Sequence, residues 1–323
     1  MAESEPLESG KFYKMGRNLA NTEKSVRDEA VETIRRELVS LQEATELEMM
    51  KLWKGLFYTF WMSDKPDVQE ALAILLSDMV FDFRKESLSW LYITSFWKTM
   101  IREWGGIDRF RMDKYCLLIR KMVSKMLLLI DSKKWEAKMI ENYTSLILDI
   151  LTKTDYIGPF NQFCECFLEE LFELLPHISS YDMISLLTPL ITVMKTTTNV
   201  VLQNALKNRV FGSLLNDYET KREKGEASDH PAFDGIDIRY VHSLLYTIAF
   251  SKEEKLKGSQ RRLFGELELS YEQAVSQRFD SAEAPKLEAP QRVEKVEEKQ
   301  AEKTEEKKTI GKEKKAKKAK KTK

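Results

Sequence analysis

The residues able to do chemistry in this 323-residue chain are few and scattered. Three histidines occur, His177, His230 and His242, and no two stand at metal-ligand spacing. Cys164-Glu165-Cys166 is a lone CxC on a helical pattern, where successive residues are about 100° apart and the two thiols diverge. Cys164 reads as a small buried apolar residue. Asp64, Asp67, Asp108 and Asp113 form no cluster of the kind a metal-dependent nuclease uses. The chain has no glycine-rich phosphate loop, no GxSxG and no HExxH. These residues point to no cofactor, no resident metal and no catalytic set, and the chain is read as a binding protein rather than an enzyme.

The charges are organised. Lysines and arginines number 52 and so do aspartates and glutamates. Residues 312–323 nevertheless hold eight lysines and one glutamate, a local charge of +7, so the rest of the chain carries −7. An acidic body does not suit coating a long duplex, and any RNA contact is expected to be local. The run of Lys314, Lys315, Lys317, Lys318, Lys320 and Lys321 fits a nuclear import signal read by an import receptor, with phosphate binding as a weaker second role. All six tryptophans fall between Trp53 and Trp135. Rings beside lysines and arginines can stack on RNA bases, but Trp53, Trp61 and Trp97, set among leucines and phenylalanines, are expected mainly in the core. Three cysteines fit a reducing compartment without a disulfide framework. Residues 1–10 are acidic and polar, unlike a secretory signal, and charges interrupt each apolar stretch before it could span a membrane.

The elements that must position these residues are helices. Glycine (12) and proline (8) are too scarce for a β-sandwich or barrel, and apolar residues recur at helical spacing from Lys11 to about Asp217. Asn21 is expected to cap the first helix, and Ser63 or Asp64 to cap another, with Pro66 in its first turn. Gly105-Gly106 is expected to end a helix through its conformational freedom. A long helix should then run from about Asp108 to Ile130, and another should end near Gly158-Pro159. Pro189 is expected to kink or split the helix between Tyr181 and Lys195.

The fold class is therefore all-α, a HEAT-like or irregular helical repeat. Residues 1–10 are read as disordered, 11–217 as the helical domain, and 218–279 as a loop with further helices near 237–250 and 259–278. From residue 280 to 323 lies a charged tail too poor in apolar residues to fold.

Two blocks carry a family resemblance: LWKGLFYTFWMSDKPDVQEALA, residues 52–73, and FWKTMIREWGGIDRFRMDKYCLLIRKM, residues 96–122. They resemble the hallmark blocks of the nucleolar ribosomal RNA processing protein 1 family, the Nop52 family. The stretch LANTEKSVRDEAVETIRREL, residues 19–38, resembles its opening helix. The resemblance covers about residues 11–217. It implies a nucleolar assembly factor for the large ribosomal subunit precursor, among assembly factors, ribosomal proteins and pre-rRNA, without catalytic residues to transfer. The charged members of the blocks, Lys54, Lys65, Arg102, Arg109, Arg111 and Lys114, become the candidate contacts. A nuclear protein adaptor without rRNA contact is the alternative.

Overall fold

Local chemistry sets where each helix begins. Glu23 holds the N-cap position of α1 (Lys24–Ser40), and Asn21 acts two residues earlier, its side chain accepting from the Glu23 N–H at 2.8 Å. Helix α2 (Glu46–Trp61) opens with a reciprocal cap between Thr45 and Glu48, whose carboxylate accepts from the Thr45 N–H at 2.8 Å. Those bonds from Thr45 hold the Glu48 carboxyl below its usual range. Pro66 takes the first position of α3 (Pro66–Asp78). Ser63 instead closes the preceding helix, donating to the Phe60 carbonyl at 2.7 Å. The structure, a computed structural model, describes residues 18–153, 157–223, 236–252, 255–277 and 279.

The remaining helices are α4 (Glu86–Glu103), α5 (Met112–Ser132), α6 (Ala137–Ser145), α7 (Gly158–Leu174), α8 (Ser180–Thr196), α9 (Val200–Ala205), α10 (Ser213–Glu223), α11 (Arg239–Phe250) and α12 (Gly258–Ser276). A π-helical turn extends α6 through Leu146–Leu151, and another, Leu206–Gly212, joins α9 to α10. No strand occurs among the described residues, and none of their helices is long and apolar enough to cross a membrane.

Helices stack on the next but one in sequence. From α2 onward, α2, α4, the π turn of α6, α8 and α11 pack in succession, while α3, α5, α7, the π turn after α9, and α12 form the opposite layer. This alternation is the geometry of stacked helix pairs. Ion pairs stitch the second layer step by step. Lys125 of α5 meets Asp78 at the end of α3, and Arg120 meets Glu169 and Glu170 of α7. Arg209 meets Glu165 of α7, and Lys207 meets Glu266 of α12. Apart from the buried Glu170, these carboxylates are partly or mostly exposed, and such pairs contribute about 0–1 kcal/mol each, so their consequence is register more than stability.

The stability lies in the aromatic side chains buried within and between the layers. Trp53 and Trp97 are at most 1% exposed. The Trp53 ring lies 4.6 Å from Tyr92 and 4.9 Å from Phe96, and its N–H donates to the Tyr92 carbonyl at 2.9 Å. Tyr92 reaches across to α3, donating to the Leu76 carbonyl at 2.9 Å. Tyr115 of α5 reaches back to the Phe57 carbonyl of α2, also at 2.9 Å. Burial of such rings supplies the main driving force.

Several expectations are corrected. Gly158 and Pro159 begin α7 rather than ending the previous helix, which suits proline, since its missing N–H is surplus in a first turn. Gly158 also admits the Trp104 indole: a Cβ there would stand 1.9 Å from Nε1. Helix α8 runs unbroken through Pro189. Leu186, Leu187, Leu190 and Ile191 are buried on both sides of it; at about 1.5–3 kcal/mol each they outweigh a cost of about 3 kcal/mol for an internal proline. The glycine pair does not use a left-handed turn. Trp104–Gly106 form a 3-10 turn, and among the described residues the non-glycine positions with left-handed backbone are Lys134 and Trp135, at φ 53° and 59° between α5 and α6. The proposed disordered regions, 1–10 and 280–323, lie outside the described residues, as do residues 224–235 of the loop expected from 218 onward, whose first residues instead continue α10 to Glu223.

Candidate functional site

The elbow between α4 and α5 gathers several of the predicted residues. Helix α5 starts at Met112 rather than Asp108 because Asp108 builds a turn of its own. Its carboxylate accepts from the N–H groups of Phe110 at 2.9 Å and Arg111 at 3.2 Å. It also accepts from the Arg111 guanidinium. That guanidinium, with the two N–H groups, holds the Asp108 carboxyl below its ordinary range. The turn keeps residues 108–111 out of the helix and leaves Phe110 82% exposed. The Arg109 guanidinium covers one face of its ring at 4.8 Å from the centroid.

Beneath the elbow lies the end of α2. Arg111 sits over the half-buried Trp61 ring at 4.6 Å. The expectation that Trp61 belongs mainly to the core therefore holds only in part, because the helix ends there and a guanidinium covers the ring. Lys114 is buried, and its ammonium donates to the carbonyls of Trp61 and Ser63, both at 2.7 Å. Burial, assisted by the Arg111 charge, lowers its pKa to about 8. Lys114 is thus removed from the candidate contact surface: it closes the last turn of α2 and does not face a partner.

The other candidates spread out. Arg102 pairs with its neighbour Glu103 at 2.8 Å. Lys54 is exposed along α2, on the stripe that continues through Tyr58 to Trp61, and Lys65 is exposed at the N-cap of α3. Neither lysine forms an ion pair among the described residues. Arg109 and Arg111 are brought together with two aromatic rings; Lys54 and Lys65 lie outside that grouping. The sequence reading missed Phe110. Its signal was the Asp-x-x-Arg spacing of Asp108 and Arg111, which forms a turn and takes the ring off the apolar face of α5.

Of the remaining chemistry-bearing residues, His242, Cys164 and Cys166 are buried, whereas His177, Asp64, Asp67 and Asp113 are exposed and lie apart. Cys164 and Cys166 are fully buried; burial pushes the Cys164 thiol up strongly and raises Cys166 to about 12, so neither is a thiolate near neutrality. Among the described residues no group of three or more His, Cys, Asp or Glu is placed to hold a metal. The basic run Lys314, Lys315, Lys317, Lys318, Lys320 and Lys321 lies outside them.

Comparison with known proteins supplies the context. The chain is 30% identical over 241 residues to ribosomal RNA processing protein 1 homolog A of Homo sapiens, covering 68% of this chain and 52% of that protein. It is 37% identical over 166 residues to homolog B of Homo sapiens, covering 47% and 21%. With the Drosophila melanogaster homolog it shares 34% identity over 185 residues, covering 56% and 27%. The chain spans about half the length of homolog A in human and mouse, and less of homolog B. The family model described as "Nucleolar protein, Nop52" matches residues 11–323, past the point near residue 217 where the resemblance read from the sequence stopped. On that match, and on the helical body that carries both hallmark blocks, the chain belongs to the Nop52 family of nucleolar proteins.

Proposed function

We propose that this protein is a non-catalytic nucleolar scaffold that associates with the large ribosomal subunit precursor and supports pre-rRNA processing. The observation that carries this reading is the Arg109–Phe110 pair: a phenylalanine ring 82% exposed and covered by a guanidinium, at an elbow held by Asp108 and Arg111. Such a ring buries little of its surface against the fold, whereas aromatic and arginine residues are the usual anchors of a binding surface. The relatives' names place proteins of this family in rRNA processing. The mechanism is stabilisation of an intermediate: two rigid helical layers present the elbow to proteins and rRNA of the precursor while processing proceeds.

A nuclear protein adaptor without rRNA contact is the alternative. It is favoured by Tyr246 and Phe250 on α11, 53% and 58% exposed with rings 4.9 Å apart. Sedimentation of a nuclear extract separates the two readings. The scaffold co-migrates with precursors of the large subunit, while the adaptor sediments apart from them.

A further inference from the structure

We propose that the cleft between α9 and α12 binds the phosphodiester backbone of an RNA strand, with Lys257 and Arg262 as its cationic contacts. The cleft has a volume of about 430 Å³ and is lined by Lys207, Lys257 and Arg262 together with Thr198, Asn204 and Ser259. Its one lining carboxylate, Glu266, accepts from Lys207 at 2.5 Å. Lys207 and, more weakly, Arg262 offset that carboxylate, so three cations face one anion and the cleft keeps a net positive charge. Neither Lys257 nor Arg262 forms an ion pair among the described residues.

The same layer shows why this matters. At each earlier step a cation of this layer meets a carboxylate of a neighbouring helix: Lys125 meets Asp78, Arg120 meets Glu169 and Glu170, and Arg209 meets Glu165. At the last step a concave surface holds two cations, Lys257 and Arg262, that form no ion pair among the described residues. Around it the hydroxyls of Thr198 and Ser259 and the Asn204 amide supply neutral hydrogen-bond donors, which suit phosphate oxygens.

The walls are fixed before any ligand arrives. Gln260, 4% exposed, donates to the carbonyls of Lys195 at 2.7 Å and Thr197 at 3.1 Å. Gln203, 7% exposed, donates to the same Thr197 carbonyl at 3.0 Å from the other side. The turn between α8 and α9 is thereby pinned to both walls, so binding requires little ordering of the backbone. An arginine fork and an ammonium match phosphate well. Choosing an RNA backbone over an acidic peptide rests on the rRNA-associated reading above. Two cations imply a short, sequence-independent contact, consistent with a body that carries net negative charge.

The test uses the full chain and a short single-stranded RNA of mixed sequence, with binding followed by anisotropy across a salt series. Lys257→Glu/Arg262→Glu should weaken binding at least fivefold at low salt. It should also flatten the slope of log K against log salt by about 1.4, from two contacts at about 0.7 each. Lys257→Gln/Arg262→Gln should lie between the reversal and the wild type. In the intact protein, the RNA should protect Lys257 and Lys207 from acetylation. Wild-type affinity in the reversal variant, with protection confined to the lysines of 314–321, overturns the proposal. Stronger protection of Lys257 by polyglutamate than by RNA overturns it too, in favour of an acidic protein segment. If the cleft fails while the protein still co-sediments with large-subunit precursors, this inference falls and the scaffold reading stands. If co-sedimentation fails while the cleft binds RNA, the reverse holds.

Discussion

The Lys114 ammonium lies 2.7 Å from the carbonyl oxygen of Trp61, so the first turn of α5 closes the last turn of α2. Lys114→Met removes the side-chain donor from the Trp61 carbonyl, while Gln69 still donates to the Ser63 carbonyl at 3.0 Å, and should cost about 1–3 kcal/mol at pH 7. The pH dependence has a definite sign. At pH 7 the lysine is protonated in both folded and unfolded chains. Above about 8 the folded protein releases the proton, while the unfolded chain keeps it to about 10.4. The unfolded state then binds more protons, so this residue adds stability as pH rises through that window. Chemical denaturation at pH 7 and pH 9 should show the difference between wild type and Lys114→Met growing with pH. Parallel profiles would contradict the assignment.

Trp97 is fully buried, and its indole N–H has no hydrogen-bond partner among the described residues. Trp97→Ala should cost about 3–5 kcal/mol through the cavity it leaves. Trp97→Phe should cost less than about 1.5 kcal/mol, because it keeps most of the ring and removes an unpaired donor. Equal losses in thermal unfolding for the two variants would show that the N–H is satisfied after all.

Gly158→Ala should displace Trp104, whose indole occupies the space of the new Cβ. The expected signature is a red-shifted tryptophan emission with a modest fall in melting temperature. Trp104→Leu should relieve the substitution. An unchanged spectrum in Gly158→Ala would mean that the indole does not pack there.

Deleting residues 312–323 should reduce nuclear accumulation of the tagged protein with almost no change in melting temperature. Full nucleolar concentration of the truncated protein would place the address in the body.

The helical body was legible because periodicity and the scarcity of glycine and proline are properties of every segment, and Trp53 and Trp97 were found in the core where the pattern put them. What was not legible depended on partners distant in sequence. Lys114 reads as a surface cation until α2 ends beside it, 53 residues earlier in the chain. Pro189 reads as a break until burial on both sides outweighs it. Gly158 reads as a stop until the Trp104 ring fills its side-chain space. The elbow was half legible: its arginines stood out by charge, whereas Phe110 was hidden by the assumption that Asp108 already belonged to α5. The cleft at Lys257 and Arg262 was invisible, since it exists only where α12 returns to α9.

The most direct test of the scaffold account is sedimentation of nuclear extract from cells carrying the full-length protein, either wild type or with Arg109→Glu and Phe110→Ala combined. Both side chains are exposed, so the variant should melt within about 0.5 kcal/mol of the wild type. The account predicts that the wild type co-migrates with precursors of the large subunit and that the variant moves at least severalfold toward the free fractions. A wild type found only as free protein, or a variant bound to the precursors as fully as the wild type, would contradict it.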